Sequence, residues 1–250
     1  MVSHVLSDHG HQPIIMDSMT TGSPQLVKQF PSYVGDIADK NLIKAIINQH
    51  SDLQSVVHCA GKILVPESVM HPDQYYYENV SKSLELFTNL NSFGINKILF
   101  SSSASIYEAN NGEIVNENSP LKPLSPYAKN KLVLEMILED FCKAFGMKAV
   151  ALRYFNPIGA DPKMRCGPGL TNTSHLLGNL VRVAEGITND INCIIIDALM
   201  YGKIPNAKTE NRLNDPPENR SIKEIKLFEL TILLNPDKSI PEIGICEPSR

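Results

Sequence analysis

Several features are missing from this 250-residue sequence, and each absence excludes a class of function. No apolar run reaches the roughly 18 residues that span a bilayer. The opening Met1-Val2-Ser3-His4-Val5-Leu6-Ser7-Asp8 has neither the basic stretch nor the apolar core of a secretion signal. A cytoplasmic chain with no membrane partner is the expectation. No group of Lys or Arg forms a stripe, because 23 basic residues are scattered among 27 acidic ones for a net charge of −4. Nucleic acid is therefore not an expected partner. The cysteines Cys59, Cys142, Cys166, Cys193 and Cys246 are odd in number, far apart and without a C-x-x-C pair, which argues against a disulfide framework and against zinc. His9 and His11 stand in a Gly-containing turn with no thiol or carboxylate spaced to complete a site, so no metal is expected. None of the 14 glycines lies three residues from another. The sequence therefore lacks the G-x-x-G spacing that lets a backbone approach a pyrophosphate.

What is present has the composition of a globular protein, 42% hydrophobic and 20% charged. Ile14-Ile15-Met16, Ser55 to Cys59, Lys97 to Ser101 and Ala149 to Arg153 read as strands, each short and nearly all apolar, as strands covered on both faces must be. Asp39 to Asn48 carries Leu42, Ile43, Ile46 and Ile47 at helical spacing, and Ser83 to Leu90 does the same with Leu84, Phe87 and Leu90. Pro126 to Phe145 is the strongest helix, with proline in its first turn, a stripe of Leu132, Val133, Met136, Ile137 and Phe141, and Gly146 as its stop. Short strands alternating with long helices predict an α/β fold, a parallel sheet with helices on both faces. Beyond about residue 187 the pattern changes. Ile191 to Ala198 is apolar enough for a strand, whereas Lys203 to Arg220, with Asn214-Asp215-Pro216-Pro217, reads as linker or disorder.

Chemistry enters at Ser125-Pro126-Tyr127-Ala128-Lys129-Asn130-Lys131. Tyr127 and Lys131 are at i and i+4 on the expected helix, so their side chains share a face. A phenol of ordinary pKa ~10 is a poor base at neutral pH, and a neighbouring ammonium favours its ionised form. Chance alone supplies roughly half a Y-x-x-x-K in a chain of this composition, so the pair gains weight from its setting. It follows Ser101-Ser102-Ser103-Ala104-Ser105-Ile106-Tyr107 at a strand end and precedes Arg153-Tyr154-Phe155-Asn156-Pro157-Ile158-Gly159-Ala160. Strand carboxyl ends form the ligand crevice of open α/β sheets.

Together these segments resemble the UDP-glucose 4-epimerase family of extended short-chain dehydrogenases/reductases, from about His4 to Gly186. The resemblance implies a Rossmann-like doubly wound parallel sheet, NAD as cofactor, a UDP-sugar as substrate, a role in galactose metabolism, and a family that is often homodimeric. By the same resemblance Ser103 is the catalytic serine, and Tyr127 and Lys131 are the base and its partner. Asp17 would hold the adenosine ribose and Asp36 would lie beside the adenine. Lys62, in Cys59-Ala60-Gly61-Lys62, would line the dinucleotide, although the family's lysine more often sits one position later. Asn79 would reach the cofactor side, Tyr154 and Asn156 would flank nicotinamide and sugar, and His175 and Leu176 would contact the nucleotide. Tyr75-Tyr76-Tyr77 reads as helix-entry packing and Cys59 as an inward-facing residue of a buried strand. The implied reaction removes the sugar 4-hydroxyl proton while C4 passes hydride to NAD⁺, and returns the hydride to the other face of the 4-keto sugar.

The sequence also departs from that family. The resemblance implies a first strand and glycine-rich loop before Ser3-His4-Val5 that these residues do not contain, leaving the two strands beside a central position without a shared neighbour. It also implies a degraded substrate lobe after Thr188. The expected organisation is an incomplete NAD-binding core over residues 1–187 and a divergent, partly disordered segment over 188–250, and the chain as written is expected neither to bind NAD nor to catalyse epimerisation. A sister 4,6-dehydratase would want carboxylates beside the catalytic hydroxyl, where Ala104 and Ser105 follow Ser103. A non-catalytic fragment is the remaining alternative.

Overall fold

The computed structural model describes residues 1–108, 114–157 and 159–167, together with residues 182 and 186. His175, Leu176, the apolar run at 191–198 and the whole of 188–250 lie outside the described residues. The chain opens with α1 (Val2–Asp8), a helix in which only His4 is buried, so no apolar stripe marks it in the sequence. There follow β1 (Ile15–Asp17), α2 (Pro24–Val27), β2 (Ser32–Val34), α3 (Lys40–Gln49) and β3 (Val56–His58). Next come α4 (Val65–Met70), α5 (Pro72–Tyr75), a π-helical turn Tyr76–Ser81, α6 (Lys82–Ser92) and β4 (Lys97–Ser101). A 3-10 turn Ala104–Ile106, α7 (Pro126–Phe145) and β5 (Lys148–Leu152) complete the order.

Among the described residues the strand ladders are parallel, with one isolated antiparallel bridge between Tyr107 and Leu121. Met16 pairs with Tyr33 across β1 and β2, Val57 with Leu99 across β3 and β4, and Leu99 with Val150 across β4 and β5. The fold is the expected Rossmann-like α/β arrangement, in two pieces among the described residues: β1-β2 and β3-β4-β5. No strand lies between β1 and β3 among the described residues. The core lies on the larger piece, where Ile98 and Phe100 of β4 meet Leu86, Phe87 and Leu90 of α6 and Leu134 and Leu138 of α7.

Local chemistry fixes the helix ends. Asp39 caps α3 by accepting from the amides of Asn41 and Leu42 at 2.9 and 3.0 Å, a device worth about 1 kcal/mol. The Ser125 hydroxyl accepts from the Ala128 amide at 3.2 Å to start α7, and Gly146, left-handed at φ 69°, ends it with its N–H on the Cys142 carbonyl.

Three expectations need correction. β3 stops at His58, so Cys59 belongs to the following loop and is exposed rather than packed inward. The buried face of α7 runs through Lys131, Leu134 and Leu138, with Ile137 and Phe141 of the expected stripe packed against the same core, while Met136 of that stripe is exposed. Leu84 of α6 is likewise exposed, while Leu86, Phe87 and Leu90 face the core.

Candidate active site

The residues expected to move protons lie beside the carboxyl end of β4. Pro126 and the Ser125 cap set the first turn of α7, which carries Tyr127, and one turn later comes Lys131, only 4% exposed. The Lys131 Nζ donates to the Ser101 carbonyl at 2.8 Å and lies 5.6 Å from the centre of the Tyr127 ring and 5.0 Å from that of Phe100. Burial pushes its ammonium down to about 8, so it remains largely charged at neutral pH while sitting close to its titration range. Beneath it, His58 is 3% exposed, its Nε2 is 2.8 Å from the Ser83 hydroxyl, and its ring stacks on Phe100. Burial, and then the charge of Lys131, push this imidazole down to about 3, so it stays neutral.

Ser103 caps the 3-10 turn, accepting from the Ser105 amide at 3.2 Å, with its hydroxyl 2.9 Å from that of Ser105. Tyr154 follows β5, and its hydroxyl bonds Ser101 while its carbonyl accepts from the Ala104 amide at 3.0 Å. The serine loop is thus tied to the chain leaving β5. Asn156 is exposed in the loop beyond.

Sequence reasoning missed the group that locks this end together. Glu135, one turn past Lys131 on α7, accepts from Arg153 on both carboxylate oxygens and from the hydroxyl of Ser102, which is 1% exposed. Arg153 also donates to the Tyr107 hydroxyl at 3.1 Å and lies over its ring. The i, i+4 spacing of Lys131 and Glu135 was the available signal; the partner, 18 residues later, could be found only from strand order.

The expected dinucleotide residues lie at the ends of other strands. Asp17 closes β1 and accepts from the Met19 amide at 2.7 Å. Asp36, just past β2, accepts from the Ala38 amide at 2.9 Å and from Lys82 at 2.6 Å. Burial opposes ionisation of Asp36, and its bond with the Lys82 ammonium overrides that to hold the carboxyl below its usual range. Asn79, 2% exposed, clamps the loop after β3: its Oδ1 accepts from the Lys62 amide at 2.7 Å and its Nδ2 donates to the Lys62 carbonyl at 3.0 Å. A Cβ on Gly61, at φ 141°, would stand 2.8 Å from that Oδ1, so this loop needs glycine there. The Lys62 ammonium pairs with Glu67. Of the three tyrosines expected to pack at a helix entry only Tyr75 does so, fully buried with its hydroxyl 2.7 Å from Glu67 Oε2 and accepting from the Leu64 amide at 2.9 Å, whereas Tyr76 and Tyr77 are exposed. One cavity of about 2470 Å³ takes in Asp17, Asp36, Gly61 and Lys62, while Ser103, Tyr127 and Lys131 sit outside its lining.

Polar groups gathered at the carboxyl ends of parallel strands occupy the place where open α/β sheets hold dinucleotides. The chain belongs to the NAD dependent epimerase/dehydratase family, whose model matches residues 1–194. It is 37% identical to a UDP-glucose 4-epimerase of Azospirillum brasilense over 177 residues, 70% of this chain and 51% of that one. Identity to a UDP-glucose 4-epimerase of Streptococcus mutans is 32% over 192 residues, 76% of this chain and 58% of that one. The crystal structure of UDP-glucose 4-epimerase from Brucella ovis in complex with NAD superposes at a TM-score of 0.70, with 29% identity, over 75% of this chain and 57% of that one. The Bifidobacterium longum enzyme in complex with NAD⁺ and UDP gives 0.67 at 31% identity, over 74% of this chain and 58% of that one. The chain spans about half the length of the curated relatives it matches.

Proposed function

We propose that this chain carries the site of a UDP-glucose 4-epimerase, inverting C4 of a UDP-sugar through a 4-keto intermediate with NAD as cofactor. The observation that carries the reading is the Tyr127–Lys131 pair, held at 5.6 Å between the ring and a buried ammonium that bonds the last residue of β4, two residues before Ser103. Tyr127, assisted by Ser103, takes the proton of the sugar 4-hydroxyl and later returns it. Lys131 favours the phenolate and donates to the nicotinamide ribose. The donor set suits the dinucleotide elsewhere too: Asp17 and Asp36 offer carboxylate oxygens toward the adenosine, Lys62 and Asn79 shape the loop beside it, and Tyr154 and Asn156 flank the reacting sugar. His175 and Leu176 take the nucleotide in this reading. When bound, NAD supplies a hydride acceptor that gives the same hydride back, so the net reaction consumes none. The Ala104-Ser105 sequence after Ser103 offers no carboxylate for a dehydratase.

A second reading, the same scaffold without catalysis, is favoured by one observation, the absence of any glycine pair at G-x-x-G spacing in the 250 residues. NAD content of the purified chain, titration with NAD⁺ and a coupled assay converting UDP-galactose to UDP-glucose separate the two. Bound NAD with turnover that Tyr127→Phe abolishes supports the epimerase. A folded chain that neither binds NAD⁺ nor turns over leaves the second reading standing.

A further inference from the structure

The bonds around Glu135 reach every segment that carries a group of the proposed proton transfer. Tyr127, Lys131 and Glu135 follow one another at four-residue spacing and so lie along one side of α7. Lys131 pins the Ser101 carbonyl at 2.8 Å, and Glu135 pins the next residue by accepting from the Ser102 hydroxyl. Two consecutive residues at the end of β4 are therefore bonded to the helix that bears Tyr127, and the residue after them is Ser103. On its other side the Glu135 carboxylate holds Arg153, whose Nε lies 3.1 Å from both oxygens and whose Nη2 lies 2.6 Å from Oε2.

Arg153 carries the hold to the far end of the serine turn. Ser103 caps that turn, the Ala104 amide donates to the Tyr154 carbonyl at 3.0 Å, and the turn closes at Tyr107, whose hydroxyl accepts from Arg153 at 3.1 Å. Past Tyr107 the Glu108 amide donates to the Pro120 carbonyl at 2.8 Å and the Lys122 amide to the Ile106 carbonyl at 2.9 Å, a clasp that returns the chain toward the Ser125 cap of α7. The network is sheltered, with the Glu135 and Arg153 side chains 10% and 23% exposed and Ser102 at 1%. Stability alone does not account for it, because apolar side chains of similar volume hold packed elements as well as an ion pair whose burial costs desolvation. What directed bonds add is a fixed height and angle.

We propose that Glu135 is a positioning residue for the proton transfer, acting through Ser102 and Arg153 to hold the Ser103 hydroxyl against Tyr127. The proposal rests on the epimerase reading for the roles of Ser103 and Tyr127, and its consequence can be measured without NAD or turnover. A serine hydroxyl that donates to a phenolate stabilises the charged form, so a serine turn that drifts from α7 makes the phenol titrate at higher pH. Loss of the Glu135 charge by itself acts the other way, since a carboxylate near a phenol disfavours the phenolate. A rise on replacing Glu135 is thus a mark of position rather than of field.

The test titrates the 250-residue chain without cofactor, carrying carbon-13 at the tyrosine Cζ, by NMR from about pH 7 to 11, with the Tyr127 signal identified by its loss in Tyr127→Phe. Ser103→Ala sets the scale and should raise the Tyr127 midpoint by about one pH unit, the size expected of a hydrogen bond to a charged group. Glu135→Gln should raise it in the same direction by at least half as much, and should raise it no further when Ser103→Ala is already present. Removing one partner of a buried ion pair can unfold a chain, so Ser102→Ala, which leaves the Glu135–Arg153 pair in place, is the second variant and should also raise the midpoint. Leu138→Ala deletes a core side chain of the same helix at 2% exposure, and should lower the urea midpoint while leaving the Tyr127 titration where it is. A rise in Ser103→Ala with none in Glu135→Gln or Ser102→Ala would overturn the proposal and leave the epimerase reading standing. A rise in Leu138→Ala as large as that in Glu135→Gln would reduce the network to packing and overturn it too. No rise in Ser103→Ala would remove Ser103 from beside the phenol, and the proposal would fall together with that part of the reading.

Discussion

The two sheet pieces share parallel pairing and differ in what covers them. In β3-β4-β5 the middle strand is sealed by α6 and α7, with Phe87, Phe100 and Leu134 at 1% exposure or less. In β1-β2 no residue is buried, and Val34 is 69% exposed. The residues proposed to transfer the proton belong to the sealed piece, whereas Asp17 and Asp36 stand on the open one. Chemistry that needs a charge held in low dielectric lies where packing can exclude water, and carboxylates that need only accept hydrogen bonds tolerate the looser edge.

The sharpest way to separate the halves is Tyr127→Phe. Loss of a general base costs about 10²–10⁴-fold, so kcat in the coupled epimerase assay should fall by that much with NAD content unchanged. A variant keeping more than about a tenth of parental turnover would remove Tyr127 from its role. Next in size, Leu134→Ala deletes a side chain at 1% exposure and should cost about 2–5 kcal/mol in urea unfolding. Ile15→Ala, on a half-buried strand, should cost about 1 kcal/mol. Equal costs would mean that the two pieces are packed alike after all.

Lys131 gives the sealed piece a pH signature. Its folded value of about 8 lies below the 10.5 of the free side chain, so the unfolded chain binds the extra proton between those limits. Stability should rise with pH across that window, by at most about 1.4 kcal/mol per unit from this one group, and the gain is lost as pH falls through 8. The measurement is the difference between the parent and Lys131→Met in urea midpoints from pH 7 to 11, which cancels the titration of groups common to both. A flat difference would mean that the ammonium is well solvated and that its burial does not tune it.

Legibility in the sequence follows the same division. The bounds of α7 could be read because Pro126 and Gly146 punctuate a long pattern, and the Tyr127–Lys131 pair could be read because helical spacing brings it together locally. β2 could not, since Ser32-Tyr33-Val34 is three residues long with two of them exposed, leaving no apolar period to detect. The Glu135–Arg153–Ser102 lock depends on β5 lying beside β4, a fact of topology that no local window contains. Asn79 stood out only through the family resemblance, and its clamp on the Lys62 backbone depends on the π-helical turn that aims it.

The smallest expected effect tests whether the halves are separate at all. Asp39→Ala removes two bonds to the first turn of α3, the helix that leaves β2 and inserts Ile43 into the shared core. The loss should be about 1 kcal/mol, a fall in thermal midpoint of roughly 2–4 °C. Where it is felt matters more than its size. α3 packs on α6 and places Ile43 in the sealed core with Ile47 against it, whereas β1 and β2 hold no buried residue, so local opening should become easier first around Met16 and Tyr33. Amide hydrogen exchange should show protection falling in β1 and β2 while the amides of Ile98 to Phe100 keep theirs. Equal loss at both places would mean that α3 couples the pieces into one cooperative unit, and the open sheet would then draw its order from the sealed one rather than standing apart from it.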